Sequence, residues 1–455
     1  MLGKQSLKTK IQRLTPAQLL LIFYMLAIVI STVLLALPVA YQEGVKVPFI
    51  DILFTAVSAI SVTGLSTISV ADTLSTTGVI ILALILHLGA VGVMTVSTFL
   101  WLLIGKRIGL AERRLIMQDQ NQTTFGGMVQ MIREIVLVVF IVELIGVLIL
   151  GGYFLQYTDT VKEAFLHGFF STISAISNAG FTLTNDSLAP FQDNYFVQSV
   201  IMFLIIFGAI GFPVLIEVKH YLFTKRKNKI KFRFSLFTKV TSTTFFLLIV
   251  LGTVFIYLID RKGFFVGKSW HESLFYALFQ SVTTRSSGLS TMDIGLLSET
   301  NHLFMSLLMF IGASPSSAGG GIRTTTFALV VIFLLTYIRG GKQVKVFNRE
   351  IYEEDLHKAV TVMIIAVGIV FIGVMCLSYF EDYTIIALFF EATSAFGTVG
   401  LSLGITAELT TISKIILMAF MFIGRVGVVT FLLTFRKESQ SDQFIRYPKE
   451  RIIIG

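Results

Sequence analysis

Four apolar segments that are too short to cross a bilayer constrain this chain more than any other feature. They cover residues 51–62, 163–177, 271–283 and 385–396, each between two apolar stretches that are long enough. At ~1.5 Å per residue, a helix of that length reaches about halfway through a ~30 Å hydrocarbon core, so each segment must dip in and return. The long stretches fall near 16–39, 76–104, 129–156, 194–223, 236–259, 300–338 (interrupted), 358–380 and 410–435, eight in all. With 55% hydrophobic and 14% charged residues, the chain is too apolar for a water-soluble fold.

The short segments end alike: SAISVTGLS (58–66), SAISNAGFT (174–182), SVTTRSSGLS (281–290) and SAFGTVGLS (394–402). Each puts a glycine before Leu or Phe, at Gly64, Gly180, Gly288 and Gly400, with separations of 116, 108 and 112 residues. A second glycine keeps step in the following long stretch, at Gly89, Gly208, Gly312 and Gly424, which is 25, 28, 24 and 24 residues later. Two markers recurring in all four quarters identify an internal repeat, whereas one glycine in an apolar run would carry almost no weight.

The net charge of +9 raises the possibility of nucleic acid, and its distribution answers it. Lys and Arg cluster at 4–13, 106–114, 225–233, 339–349 and 436–451, each beside the end of a long stretch, while the intervening connections carry acids such as Glu43, Asp159, Asp186, Asp293 and Glu381. That is the positive-inside pattern, with both termini cytoplasmic and no nucleic-acid partner. The run from Ala17 to Val39 is long enough to span and no small-residue cleavage pattern follows it, so it is expected to be retained. The single cysteine, Cys376, excludes an intrachain disulfide and is read as packing.

Non-helical backbone survives at membrane depth only where it is buried in protein or lines a water-filled path, so four such hairpins imply one shared axis. A short helix entering from outside points its partially negative C-terminal end at the midplane, where it favours a cation. Asp51, Glu163, Glu272 and Asp382 sit near the opposite, positive ends. After each helix a glycine lets the chain present carbonyl oxygens inward, and four such strands can replace the hydration shell of an alkali cation without charged side chains. The predicted fold is an all-α polytopic membrane protein of four M1–P-loop–M2 repeats, with eight transmembrane helices and four re-entrant pore helices around one pseudo-fourfold pore. Its parts are a cytoplasmic N-terminus (1–15), repeat 1 (16–104), a linker (105–128), repeat 2 (129–223), a basic loop (224–235), repeat 3 (236–338), a loop (339–357), repeat 4 (358–435) and a C-terminal tail (436–455).

The segments FTAVSAISVTGL (54–65), SAISNAGF (174–181), SVTTRSSGL (281–289), FEATSAFGTVGLSLGITAELT (390–410), FIGRVG (422–427) and IRYP (445–448) resemble the Ktr/Trk/HKT potassium transporter superfamily, and within it most the Ktr membrane subunit. The resemblance implies an ion-binding filter at Val62, Thr63 and Gly64; Asn178, Ala179 and Gly180; Ser286, Ser287 and Gly288; and Thr398, Val399 and Gly400. Glycine at all four key positions goes with potassium in that superfamily, and serine in the first repeat with sodium preference. It also implies a homodimer in the cell membrane under a cytoplasmic ring of RCK-type proteins that bind adenine nucleotides. Potassium is then the transported ion, no cofactor is held in this chain, and sodium as activator or co-ion is left open. The loops 105–133, 224–235 and 339–357 are candidate contacts for the ring, as is the tail 444–455.

The sixth stretch is broken by GASPSSAGGGIRTTT (312–326), which cannot face lipid. By resemblance it is an intramembrane gating loop, its candidate residues being Gly312, Ser314, Ser316, Gly319, Gly320, Gly321 and Arg323. Arg425, mid-helix in FIGRVG, is costly unless it faces a polar interior. The readings are a salt bridge locking two helices or, by resemblance, a cation below the filter that helps close the path. Glu143 and Glu217 are read as structural hydrogen-bonding groups, and His87 as interhelical packing. Arg285 is read as a brace for the third loop, with Glu391 as a candidate partner. No HExxH, GxSxG or paired intramembrane aspartates support an intramembrane enzyme. A sodium-selective or weakly selective cation permease stays open as the alternative.

Overall fold

In this computed structural model the described residues are 14–92, 95–96, 98–99, 109–119, 128–223, 232–341 and 343–434. The basic segments 4–13 and 436–451, most of 225–233, the tail 444–455 and much of the linker 105–128 lie outside them.

Most long helices start on a hydroxyl side chain that takes up a free backbone N–H. In α1 (Pro16–Leu35), Thr15 accepts from the Gln18 N–H, Gln18 returns the bond to the Thr15 N–H, and Pro16 occupies the first turn. The first re-entrant helix, α2 (Phe49–Ser61), is followed by α3 (Thr76–Val91) and a polar helix, α4 (Leu110–Asp119). The second quarter is α5 (Met128–Phe154), α6 (Val161–Ser177), α7 (Tyr195–Ala209) and α8 (Phe212–Phe223). The third runs α9 (Leu236–Ile259), α10 (Trp270–Thr283), α11 (Glu299–Phe310) and α12 (Thr324–Ile338). A two-stranded hairpin, β1 (Lys345–Val346) with β2 (Arg349–Glu350), leads into α13 (Glu353–Phe380), α14 (Ile385–Gly397), α15 (Thr411–Val426) and α16 (Val428–Thr434). The hairpin pairs Lys345 with Glu350 and Val346 with Arg349.

The four re-entrant helices are handed round a ring. α3 packs on α6, α7 on α10, α11 on α14, and α15 closes the circle on α2. The core is mainly apolar, and so is much of the outer face, with a set of buried polar residues at the loops. Leu26, Phe140, Leu148, Val250 and Phe371 are exposed, as suits side chains against lipid, while Ser58, Thr63, Asn178, Ser287 and Thr398 are fully buried. Among the described residues four helices, α1, α5, α9 and α13, are long and apolar enough to cross a membrane unaided. The protein is a multi-pass membrane protein.

The remaining long stretches are not straight spans, contrary to expectation for 194–223 and 410–435. α7 and α8 meet at 107°, and α15 and α16 at 99°. The turns fall at Gly211 (φ 103°) and Gly427 (φ 89°), and α3 stops at Gly92 (φ 94°). Each angle lies in the region open to glycine and costly for other residues, so the chain turns there without a side-chain penalty. Hydropathy alone cannot register such a bend. Asp51 and Glu163 lie in the first turns of α2 and α6, and Glu272 completes a capping box with Ser269 on α10, but α14 has no acid in its first turn and is capped by Thr384 instead.

Asp51 also fastens the ring where first meets fourth quarter: Lys414 Nζ on α15 donates to Asp51 Oδ1 at 2.9 Å, with both groups about nine-tenths buried. Removing one partner of such a pair strands the other charge, at a cost of roughly 3 kcal/mol or more. Lys414→Met is therefore expected to lower the thermal unfolding midpoint in detergent. Adding Asp51→Asn should recover part of the loss, and equal midpoints for parent and Lys414→Met would refute the role.

Candidate functional site

Three of the four re-entrant helices end in the same closure. Val62, Asn178 and Thr398 take left-handed angles (φ 57°, 57° and 50°) directly after α2, α6 and α14. The next N–H then reaches back into the helix: Thr63 to Ser58 O at 2.8 Å, Ala179 to Ser174 O at 2.8 Å and Val399 to Ser394 O at 2.9 Å. Valine and threonine are poor residues for this region, because the branched Cβ crowds the carbonyl. Such strain persists only where surroundings impose it, and it gathers at functional sites. Here the imposed geometry turns the chain out of the helix toward the neighbouring loops. In the first and fourth motifs the leading serine helps hold it, Ser58 Oγ accepting from Gly64 N at 3.0 Å and Ser394 Oγ from Gly400 N at 3.1 Å.

The four glycines then meet in a cycle. Each has positive φ, at 91°, 71°, 71° and 95° for Gly64, Gly180, Gly288 and Gly400. A Cβ on Gly64 would collide with the Ala179 carbonyl, one on Gly180 with Ser287 O, one on Gly288 with Val399 O, and one on Gly400 with Thr63 O. Each loop thus presses its carbonyl against the glycine of a neighbour, and the fourth returns to the first. The second glycines serve this approach from outside. Side chains at Gly89, Gly208 and Gly424 would strike the carbonyls of Ile60, Ile176 and Phe396, the C-terminal ends of three re-entrant helices. The result is a closed ring in which the backbone oxygens of the four loops meet, with no charged side chain at the twelve positions nominated for a filter.

Between α11 and α12, residues 311–323 form a loop packed directly against this ring. Gly319 lies against Ser286, and Gly320 donates its N–H to Thr398 Oγ1 at 2.7 Å. The loop is also tied to the bends: Ser314 N to Ala209 O (3.1 Å), Ala318 N to Gly208 O (3.0 Å), Phe212 N to Ser316 O (2.7 Å) and Gly321 N to Gly424 O (3.2 Å). Gly312 packs against Gly320 O. Arg323 caps the loop on itself, donating to Ser314 O and Gly319 O. Arg425 makes the widest reach. Its guanidinium donates to Ala318 O of the loop and to Gly89 O and Ala90 O, where α3 ends. It is a carbonyl-bonded bridge, and among the described residues it is in no salt bridge.

The family model for TrkH, described as a cation transport protein, matches residues 7–447. The chain belongs to the TrkH family. TrkH relatives align end to end: it is 52% identical over 446 residues to the Ktr system potassium uptake protein D of Bacillus subtilis, covering 98% of both chains, and 37% identical to the Ktr system potassium uptake protein B of the same organism, covering 97% of both. The potassium/sodium uptake protein NtpJ of Enterococcus hirae is 30% identical, with 98% of both chains covered. The crystal structure of the potassium transporter TrkH from Vibrio parahaemolyticus superposes with a TM-score of 0.69, covering 91% of this chain and 83% of that one at 16% identity, which speaks for the fold.

Against this TrkH frame the third loop differs. Its motif has one residue more, α10 is closed by Thr284 in ordinary helical angles, and Ser287 N bonds Thr283 O at 2.9 Å. The expected Arg285–Glu391 pairing is not formed. Arg285, fully buried, donates to Leu308 O on α11, so it does brace the third loop, but against backbone. Glu391 is satisfied locally by the Ser402 hydroxyl, Leu403 N–H (3.1 Å) and Thr406 hydroxyl (2.8 Å), holding the segment that follows the fourth loop. His87 bridges helices as expected, yet it does so by a 3.0 Å hydrogen bond from Nδ1 to Glu143, a carboxylate on another helix that spacing along the sequence does not reveal. Glu217 accepts from Ser235 N at 3.0 Å. Among the described residues no group of three metal-ligating side chains occurs.

Proposed function

We propose that this chain is the potassium-conducting subunit of a Ktr-type uptake system in the cell membrane. The observation that carries the proposal is the cycle of four glycine loops, each pressed onto the carbonyl of the next, in a chain aligned end to end with Ktr potassium uptake proteins. A passage of backbone oxygens suits a weakly hydrated monovalent cation, since it substitutes for water without binding so tightly that the ion cannot leave. On this reading Val62–Gly64, Asn178–Gly180, Ser286–Gly288 and Thr398–Gly400 are the filter, and the loop holding Gly312, Ser314, Ser316, Gly319, Gly320, Gly321 and Arg323 is the gate, tied down by Arg425. The quarters act as four repeats with the boundaries given above, and both termini are cytoplasmic. The functional unit is a homodimer on a cytoplasmic RCK-type ring that senses adenine nucleotides, because the segments between repeats are too short to form a regulatory domain.

The name of the Enterococcus relative brings sodium in as co-ion or activator. The test is uptake at micromolar potassium, with and without sodium, in cells lacking their own systems and co-expressing a matching ring. Rescue is the expected result, and its sodium dependence measures that ion's role. Failure to rescue with verified insertion and ring expression refutes the proposal in favour of a sodium or general cation permease.

A further inference from the structure

Two cavities share a wall at the basic end of α9. The first, about 460 Å³, lies between the start of α9 and the β1–β2 hairpin, and its lining includes Arg233, Lys239 and Arg349 together with Phe234 and Phe347. Its lining among the described residues has three cations and no carboxylate. The second, about 430 Å³, is mainly apolar. It runs between α9, α12, α13 and α16 past Phe237, Val240 and Leu329, with Asp355 and Lys358 as its polar groups on α13. Leu236 borders both cavities. The second ends on the loop and the bend of the ion pathway, touching Ile322, Arg323 and Gly427.

We propose that the pair forms one binding site for an anionic glycerophospholipid, with the phosphate among Arg233, Lys239 and Arg349 and an acyl chain in the apolar cavity against the loop. Depth favours a lipid over a soluble anion. α9 is a 24-residue apolar span capped by Ser235, so Arg233 and Lys239 stand where hydrocarbon gives way to water. The positive end of the α9 dipole faces the same level. Cations flanking a span draw anionic headgroups, and Lys239 Nζ lies 5.8 Å from the Phe347 ring, an aromatic–cation arrangement suited to the interface. The apolar cavity gives the acyl chain a wall that a free phosphate would not use. Because that wall includes Ile322 and Arg323, occupancy would bear on how the loop sits.

The test is native mass spectrometry of the full chain in detergent with phosphatidylglycerol or phosphatidylcholine. The parent should retain phosphatidylglycerol preferentially. Neutralising all three cations (Arg233→Ala, Lys239→Ala, Arg349→Ala) should weaken that affinity roughly 100-fold and abolish the preference. Val240→Trp, which fills the apolar cavity and keeps the cations, should also reduce retention. Unchanged retention in either variant overturns the proposal, and so does inorganic phosphate binding as tightly as the whole lipid. The inference rests on the membrane placement of α9, and retention is read without transport, so its failure is separable from failure of the uptake assignment.

Discussion

Gly64→Ser should weaken the potassium affinity of uptake by roughly tenfold or more while the protein still inserts and reaches normal levels. Gly64 combines a φ of 91° with a neighbour, the Ala179 carbonyl, that leaves no room for a Cβ. Relief requires the first loop to rotate or the second to withdraw, and either movement takes a carbonyl off the axis. The glycine at Gly44 supplies the control. It has a comparable φ of 83°, but nothing lies within 4 Å of where its Cβ would be. Gly44→Ser should carry the backbone cost without the collision and leave affinity unchanged. Uptake kinetics across external potassium, with sodium as competitor, separate the two. Equal affinity in the parent and Gly64→Ser would remove Gly64 from the filter.

The contrast also explains how much of the site could be read from sequence. The four loops were legible because a backbone that must turn beside another backbone needs glycine, and that demand leaves one residue type at one spacing. The breaks in the second helices carried a similar mark that hydropathy hides. Three residues beyond the second marker stand Gly92, Gly211 and Gly427, and in the third quarter Pro315. A glycine followed three residues later by a second glycine, or in the third quarter by proline, was the available signal for the bends. Partners of buried charges were harder to read. Glu391 finds Ser402, Leu403 and Thr406 within a short stretch of chain, and Arg285 finds a carbonyl, so opposite signs did not specify a pair. Nor does sequence reveal that Asp51 meets Lys414 or His87 meets Glu143, since those contacts exist only after the quarters have closed or packed side by side.

Arg425→Ala should raise potassium flux several-fold and reduce its dependence on the proposed cytoplasmic ring. In the structure this guanidinium holds the 311–323 loop, through Ala318 O, to the end of α3, through Gly89 O and Ala90 O. Hydrogen bonds from a charged donor contribute about 1.5–3 kcal/mol each, so losing one is enough to shift a closed loop toward open by roughly tenfold. Two causes would produce that rise, the lost bridge and the lost positive charge beside the path, and Arg425→Lys separates them. Lysine keeps the charge, but its single ammonium cannot span the loop and the α3 terminus as a planar fork does. If the bridge is the restraint, flux rises in both variants. If charge repulsion is the restraint, flux rises in Arg425→Ala alone. Uptake rates normalised to membrane protein, with and without the ring, read the difference. Flux that falls in both variants at normal membrane levels would mean Arg425 supports the conducting form, and the loop it fastens would then be no gate.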